Sequence, residues 1–311
     1  MNKLDYFFVL RPMLFFPGWS TLLAGYLIPY KSKIYLPFSL IHQINYFEIL
    51  ILIGSFALVM GSTFILNQLA DKKSDKINSK LFLISNNHIS KKNAIIEVIV
   101  LTVLSLIIGF LINIKVGIIF VIFFILTGYL YNFRPFEFKN KPWASLFSNA
   151  LMGWLAFSVG WSMHGDINLN FVLVSLPYLF FNTALYLFTT LPDVDGDKKT
   201  NKNTFAVKYG PKPIILTTFF LFGLGIMIAI LLSDMQAMIF YFLSLPFFVL
   251  TIISFKIPHT ILTTKFAILF FALSICLKIP YYIFFMVLGF YSTKYYFRFR
   301  FNLDYPNFSG K

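Results

Sequence analysis

Long apolar blocks alternate with short polar segments along the whole chain. Apolar residues run almost unbroken through 49–66, 94–112, 116–131 and 214–232. A helix that crosses the lipid core needs roughly 20 predominantly apolar residues, and only helices and closed barrels can span it. The blocks are continuous and do not alternate at every second position, so they favour helices over a barrel. The pattern predicts an all-α, polytopic membrane helical bundle.

Most of the spans are clear, and the last apolar part is ambiguous. The predicted spans are 13–30, 46–66, 94–112, 116–133, 143–161, 170–190, 213–233 and 236–255. The remaining part, 262–297, holds Lys278 and Pro280 in its middle. It is either one long kinked helix or two short ones, because proline interrupts the hydrogen bonding of a helix. We expect about nine transmembrane helices, with ten as the alternative.

The whole chain, 1–311, is expected to form a single membrane domain. Acidic clusters follow the second and the sixth predicted span, four spans apart. Membrane folds built from repeats show this kind of internal echo. The echo predicts two four-helix halves, about 13–133 and 143–255, followed by one C-terminal helix or two.

The chain has a net charge of +14, which we attribute to the loops of a membrane protein and not to a nucleic-acid-binding surface. Only 12% of the residues are charged, and no nucleic-acid-binding motif accompanies the basic ones. Lys and Arg concentrate in the N-terminal segment and in the loops after the even-numbered spans, which predicts that these are cytoplasmic. The expected location is the inner (plasma) membrane, among its lipids. Lys294, Arg298 and Arg300 disagree, because nine helices would place them outside; a tenth helix removes the conflict.

Two acidic segments carry the candidate chemistry. N-Q-L-A-D-K-K-S-D, 67–75, spaces Asn67, Asp71 and Asp75 four residues apart, and D-V-D-G-D does the same for Asp193 and Asp197. Residues four apart share one face of a helix. Carboxylates brought together repel one another unless a cation lies among them. Mg²⁺ takes oxygen ligands and leaves room for substrate phosphates, so the pattern favours a metal clamp on a diphosphate.

The same segments resemble the paired motifs of the UbiA superfamily of intramembrane prenyltransferases. The similar stretches are N-Q-L-A-D-K-K-S-D-K-I-N, D-V-D-G-D-K-K-T-N-K-N-T-F-A-V-K-Y-G, Y-L-Y-N-F-R-P-F-E-F-K-N-K-P and the Arg11-Pro12 pair. The resemblance implies a bundle of about nine spans around a central cavity. It also implies Mg²⁺-dependent transfer of a prenyl group from a prenyl diphosphate to an aromatic or lipid acceptor.

The resemblance assigns roles to particular residues. It implies that the metal-binding and catalytic carboxylates are those of Asp71, Asp75, Asp193 and Asp197. The candidates for binding substrate are Asn67, Lys139, Tyr131, Arg134, Lys80 and Lys198. Many members have Arg, Pro and Gly after the first motif, and the run K-L-F-L-I-S-N-N-H-I-S, 80–90, lacks all of them. Lys80 is expected to replace the missing positive charge.

Two other functions stay open at this point. An ion-coupled transporter would carry acids inside its spans, whereas these acids follow the ends of spans. A non-catalytic prenyl-lipid-binding protein could keep the fold without the chemistry. Mg²⁺-dependent release of diphosphate separates an enzyme from both.

Overall fold

The protein is described by a computed structural model that covers residues 3–30, 44–72, 75, 82–199 and 202–307. Within these ranges every regular element is helical. The long helices are α1 (Phe15–Tyr26), α2 (Tyr46–Ala70), α3 (Lys91–Ile112), α4 (Ile114–Phe123), α5 (Pro142–Trp161), α6 (Leu169–Thr189), α7 (Pro211–Leu231), α8 (Met235–Ser254), α9 (Ile257–Cys276) and α10 (Tyr282–Phe301). Seven helical stretches in this part of the chain are long and apolar enough to cross a membrane. The all-α membrane fold is confirmed.

Short polar side chains mark where the helices begin. The Asn45 side chain accepts a hydrogen bond from the Glu48 amide at the start of α2, and Ser90 does the same for Asn93 at the start of α3. Asn168 and Asp234 cap α6 and α8 in the same way. Such caps satisfy amide groups that have no partner inside the helix. These capping residues therefore mark the positions at which the apolar helices begin.

The ambiguous last part of the chain forms two helices. α9 ends at Cys276 and α10 begins at Tyr282, with Lys278 and Pro280 in the turn between them. The described residues thus contain the ten helices given above, and seven helical stretches among them are long and apolar enough to cross a membrane. The second of these helices returns to the end of the bundle that holds the N-terminus: Tyr296 Oη donates to Asp5 Oδ1 at 2.7 Å. This return places the basic tail at the end from which the chain starts.

Glycines bring α1 and α5 into close contact. A Cβ atom on Gly160 would lie 1.9 Å from the Leu22 carbonyl oxygen, and one on Gly25 would lie 2.1 Å from the Phe157 carbonyl oxygen. Small residues at helix crossings are the usual means of close packing in membranes, where lipid is as apolar as the side chains. The two helices can approach this closely only because both positions lack a side chain.

A π-helical turn, Phe124–Leu130, continues α4. The Tyr131 amide donates to the Leu126 carbonyl, five residues back. The Asn132 side chain donates to the carbonyls of Thr127 and Gly128 at 2.8 and 3.1 Å, which satisfies groups that the turn leaves free. Turns of this type are frequent at functional sites. This one lies next to the end of α2, where the first acidic motif begins.

Candidate active site

The first acidic motif continues the last turn of α2. The Asp71 amide donates to the Asn67 carbonyl at 2.9 Å, and the Asp75 amide donates to the Asp71 carbonyl at 2.8 Å. These two hydrogen bonds, each spanning four residues, have the spacing of a helical turn. Asn67 Nδ2 donates to Asp71 Oδ2 at 3.2 Å and to Asn132 Oδ1 at 2.8 Å.

The second acidic motif follows α6 and forms the short helix Val194–Lys199. The Asp197 amide donates to the Asp193 carbonyl at 2.8 Å, which places these two residues one turn apart. Both are partly buried, whereas Asp195 between them is exposed. The Lys202 amide donates a hydrogen bond to the Asp197 carbonyl at 2.9 Å.

Lys202 joins the two motifs. Its Nζ lies 3.1 Å from Asp71 Oδ1, across 131 positions of sequence. Burial lowers the pKa of Lys202, but the negative charges of Asp71, Asp197 and Asp75 outweigh burial, and the pKa is raised. Carboxylates from both motifs therefore act on one ammonium group. The contact between Lys202 and Asp71 joins the segments that carry the two motifs.

Lys139 contacts the same carboxylate from the segment after the π turn. Its Nζ lies 2.9 Å from Asp71 Oδ1, and the Lys139 side chain is only 8% exposed. Burial lowers the pKa of Lys139 more than the Asp71 charge raises it. Burial also raises the pKa of Asp71, yet the charges of Lys139 and Lys202 outweigh this and hold it below its usual range. Within the described residues, Lys139 Nζ makes no hydrogen bond of regular geometry.

Arg11 approaches the site from the N-terminal segment. It precedes the turn Pro12–Leu14 in a left-handed conformation, with φ of 57°. Its Nε is buried and has no hydrogen-bond partner in the described part of the chain. The charges of Asp75, Asp71 and Asp193 all act on its guanidinium group. Arg11 thus adds a third, half-buried cation to the acidic end of the bundle, the end at which α2 and α6 finish.

A cavity of about 180 Å³ opens beside these groups. It is lined by Arg11, Thr63, Phe64, Asn67, Thr127, Tyr131, Ser148 and Met152. Tyr131, predicted from sequence, lies in this wall, and its Oη accepts a hydrogen bond from Asn149 Nδ2 at 3.4 Å. The lining combines polar groups with aromatic and aliphatic ones. An amphiphile with an anionic head fits such a surface.

Two further predicted residues, Arg134 and Lys198, are exposed at the surface. The Arg134 side chain is 92% exposed and pairs with Glu137 at 3.7 Å. Lys198 is exposed on the short helix that carries the second motif. Lys80 lies outside the described residues. The roles assigned to these three residues stay predictions.

Three groups at this site were missed as site residues by the sequence reasoning. Lys202 belongs to the quoted second motif, but nothing in its spacing distinguishes it from its neighbouring lysines. Arg11 was noted only as part of the Arg11-Pro12 pair that resembles the family's N-terminal segment. Asn132 was noted only as one residue of the stretch 129–142 that resembles the family's segment after the fourth span. Each becomes recognisable through its contacts with residues distant in sequence.

The oxygen donors of the two acidic motifs suit a hard divalent cation. Among the described residues, no three His, Cys, Asp or Glu side chains form a group that could hold a metal ion by themselves. The carboxylates of both motifs are oxygen donors of the type that Mg²⁺ prefers. Mg²⁺ usually binds through one or two carboxylates together with substrate phosphates, so an incomplete protein shell is compatible with it.

Comparisons with known proteins agree with this geometry. The profile of the UbiA prenyltransferase family matches residues 19–261. Digeranylgeranylglyceryl phosphate synthase from Methanosphaera stadtmanae is 25% identical over 65% of this chain and 69% of its own length. The 2-acylphloroglucinol 4-prenyltransferase of Humulus lupulus is 31% identical over 53% of this chain, and the match spans 42% of that protein.

The fold is shared with solved structures. A UbiA homolog from Archaeoglobus fulgidus, bound to GPP and Mg²⁺, superposes with a TM-score of 0.67 over 88% of this chain and 99% of that chain, at 20% identity. A homolog from Aeropyrum pernix K1 gives a TM-score of 0.64 at 11% identity, over 87% and 98% of the two chains. With a family profile that covers most of the sequence and paired acidic motifs at one end of the bundle, this chain belongs to the UbiA prenyltransferase family.

Proposed function

We propose that this protein transfers a prenyl group from a prenyl diphosphate to an aromatic or lipid acceptor, with Mg²⁺ as cofactor. One observation carries the proposal. Lys202, from the segment of the second acidic motif, pairs with Asp71 of the first motif at 3.1 Å. Asn67, which donates to the same Asp71 carboxylate, lines a cavity that also has apolar lining residues. A prenyl diphosphate has the matching form, a polyanionic head on an apolar chain.

The buried cations would hold the diphosphate. Arg11 Nε is buried and makes no hydrogen bond with the described residues, whereas Lys139 Nζ is buried and pairs with Asp71 Oδ1 at 2.9 Å. A buried donor without an acceptor is costly, so Arg11 is suited to a ligand that brings oxygen atoms, and Lys139 would share its charge between Asp71 and that ligand. Hydrogen bonds from Lys or Arg to phosphate are among the strong ones in proteins.

The carboxylates would hold the metal. We assign Asp71 and Asp75 to one metal site and Asp193 and Asp197 to the other, with diphosphate oxygens completing both shells. When bound, Mg²⁺ neutralises the charge that develops on the leaving diphosphate. Asn67 orients the Asp71 carboxylate through its hydrogen bond to Oδ2.

The cavity wall would protect the reacting carbon. The allylic C–O bond breaks, the diphosphate leaves with the bonding electrons, and the prenyl carbon gains cation character. An acceptor carbon or oxygen supplies the electron pair of the new bond and afterwards loses its proton. Phe64 and Met152 line the cavity and limit water near this carbon. The relatives' names include both a lipid and an aromatic product, so either class of acceptor fits.

The proposed setting is a cell membrane with the acidic end on the cytoplasmic side. The loops at this end are rich in Lys and Arg, and loops rich in basic residues stay on the cytoplasmic side of a membrane. The inner (plasma) membrane is the location that the sequence favours.

The test is prenyl transfer by the purified protein in detergent. Prenyl diphosphates of several lengths are incubated with host lipid extract and aromatic acceptors, in Mg²⁺ or in EDTA. We expect Mg²⁺-dependent release of pyrophosphate, lost in Asp71→Ala and Asp193→Ala. The control is Asp166→Ala, since the Asp166 side chain is 80% exposed and pairs with Lys115 away from the site. Donor binding without release would instead indicate a prenyl-lipid-binding protein, and normal release by Asp71→Ala would contradict the site assignment.

A further inference from the structure

The chain reverses its direction after α10. Asn302 follows the helix in a left-handed conformation, with φ of 54°, and its amide donates to the Arg298 carbonyl at 3.0 Å. The Leu303 amide then donates to the Phe297 carbonyl at 3.2 Å, six residues back. A left-handed residue is a common way for a helix to end. The residues that follow, 302–307, are called the return segment below.

Polar contacts hold the return segment against α9 and α10. Asp304 Oδ1 lies 3.2 Å from Lys294 Nζ on α10, and Lys265 Nζ on α9 donates to Asn307 Oδ1 at 3.4 Å. Asn307 Nδ2 also donates to the Asp304 carbonyl at 3.0 Å, which closes the segment into a turn. The return segment is thus held on both sides of Tyr305, the residue that follows Asp304.

Aromatic rings connect Tyr305 to the segment that carries Arg11. The Tyr305 ring meets the Phe297 ring with centroids 5.1 Å apart, and Phe297 meets Phe8 at 6.3 Å. Phe8 also stacks on Tyr296 at 3.9 Å, and its carbonyl accepts a hydrogen bond from the Arg11 amide at 3.1 Å. Aromatic pairs at such distances stabilise packing beyond the area that they bury. The return segment and the N-terminal segment therefore form one packed unit next to Arg11.

The hydroxyl group of Tyr305 faces inward, toward the Arg11 guanidinium group. The residue as a whole is 38% exposed, yet burial raises the pKa of its hydroxyl, which indicates that the exposed part lies on the other side of the residue. The charge of Arg11 acts on this hydroxyl in the opposite direction. Tyr305 in turn acts on Arg11 more strongly than any single carboxylate of the acidic motifs does. Electrostatic interactions weaken with distance, so the two groups are close.

Arg11 needs support from its surroundings. Its backbone has φ of 57° and ψ of 60°, and a residue with a Cβ atom keeps this conformation only where neighbouring groups hold it. Its Nε is buried and has no hydrogen-bond partner in the described part of the chain, and its side chain lines the cavity of the candidate active site. The guanidinium group therefore has a donor free for a ligand, while contacts elsewhere must fix its position.

We propose that Tyr305 is a positioning residue that holds the Arg11 guanidinium group in place for the diphosphate of the prenyl donor. The inference rests on the proposed function and concerns the same site. Tyr305 Oη supplies an uncharged oxygen acceptor to one side of the guanidinium group and leaves Nε for the donor. A carboxylate in that position would form the stronger, charge-assisted hydrogen bond and compete with the diphosphate, whereas a phenol competes less. The return segment keeps the hydroxyl group in position.

The test measures the Kd of geranyl diphosphate by calorimetry in detergent with Mg²⁺, together with KM and kcat. Tyr305→Phe keeps the ring that contacts Phe297 and removes only the hydroxyl group. We expect the Kd to rise about fivefold, a scale typical of coupling between neighbouring residues. The KM for the donor should rise by the same factor and kcat should stay near the wild-type value, the pattern expected when binding alone is weakened.

A double-mutant cycle shows whether Tyr305 acts through Arg11. In the Arg11→Met background, Tyr305→Phe should leave the Kd unchanged, because the group that Tyr305 positions is gone. If Arg11→Met binds no donor, Arg11→Lys replaces it as the background, since it keeps a charge but lacks the guanidinium group, and the same loss of effect is expected. A Kd effect of undiminished size in these backgrounds would overturn the inference.

Two tyrosines provide controls for the loss of a hydroxyl group. Tyr295 is 70% exposed on α10, and Tyr295→Phe should change neither the Kd nor the midpoint of thermal unfolding. Tyr296→Phe removes the hydrogen bond to Asp5, so it should lower the midpoint and leave the Kd unchanged. If Tyr305→Phe lowers only the midpoint, as Tyr296→Phe does, then its role is structural and the inference is overturned.

Binding and transfer are measured separately, so the inference and the proposed function can fail separately. Prenyl transfer by the wild type, with a wild-type Kd in Tyr305→Phe, would overturn the inference and leave the proposed function standing. Donor binding that depends on Tyr305 through Arg11, without prenyl transfer by the wild type, would support the positioning role and overturn the proposed function. A wild-type protein that does not bind geranyl diphosphate would overturn both.

Discussion

Asn67 donates a hydrogen bond of 2.8 Å from Nδ2 to Oδ1 of Asn132, so the end of α2 is tied to the turn after α4. The Asn132 side chain is at the same time the donor for two carbonyl groups of the π-helical turn. One buried amide thus couples the unusual backbone of α4 to the first acidic motif. The orientation of Asn67, and through it that of Asp71, depends on this contact.

The first prediction concerns that amide. Asn132→Ala leaves buried carbonyl groups without donors, which costs about 1–3 kcal/mol of unfolding free energy. It also frees Asn67 to rotate, so donor affinity should fall. Thermal unfolding in detergent and donor binding measure the two effects. Asn93→Ala is the control: Asn93 Nδ2 donates to Tyr6 Oη at 2.7 Å, and this variant should affect stability alone. Wild-type donor affinity in Asn132→Ala would disprove the coupling.

The second prediction separates two lysines on the same loop. Lys202→Met removes the ammonium group that bridges to Asp71, and Lys199→Met removes an exposed one. Hydrogen bonds to charged groups contribute about 1.5–3 kcal/mol, so the affinity of Lys202→Met for the prenyl diphosphate should fall by about tenfold or more. Lys199→Met should change that affinity by about 0.5 kcal/mol or less. The KM for the donor is the measurement, and equal effects in the two variants would remove Lys202 from the site.

The third prediction concerns the contact between α1 and α5. Gly160→Ala places a methyl group against the main chain at Leu22, where no side chain can move aside. Overpacking of this kind costs about 1–3 kcal/mol. Gly223 is the matched control, since a Cβ atom there meets nothing within 4 Å. Gly223→Ala should be neutral or stabilise α7 by up to about 1 kcal/mol, because alanine favours helix. The measurement is the midpoint of thermal unfolding of each variant in detergent. Equal midpoints for the two variants would contradict the close contact between α1 and α5.

The fourth prediction is a dependence of stability on pH. Lys278 is only 5% exposed in the turn between α9 and α10. Burial lowers its pKa from 10.5 to about 8, although the charge of Asp234 acts in the opposite direction. Between these two values the unfolded chain retains a proton that the folded protein has released. The unfolding free energy should therefore rise as the pH increases from about 8 to 10.5.

The measurement is the difference in unfolding midpoint between wild type and Lys278→Met across that pH range. The variant lacks the titrating group, so its midpoint should rise less steeply than that of the wild type. Lys256→Met, at an exposed lysine, is the control and should follow the wild-type curve. Parallel curves for wild type and Lys278→Met would show that Lys278 does not titrate in this range.

The sequence by itself determined the elements whose cause is local. Continuous apolar blocks predicted the membrane helices because burying their side chains in lipid does not depend on the partner helix. The four-residue spacing of Asp71 and Asp75 predicted a shared face, because that spacing follows from the turn of a helix. The family resemblance, which supplied the proposed reaction, also rests on short local motifs.

The tertiary structure decided what depends on contacts between distant positions. The return of the last helix toward the N-terminal segment is seen only in contacts such as that of Tyr296 with Asp5. The choice of Lys202 over its neighbouring lysines depended on the path of one loop to Asp71. The buried positions of Arg11 and Asn132 depended on segments from three other parts of the chain. Hydrophobic burial is almost non-directional and can be foreseen from composition, whereas ion pairs and hydrogen bonds require particular atoms to meet within about 3 Å.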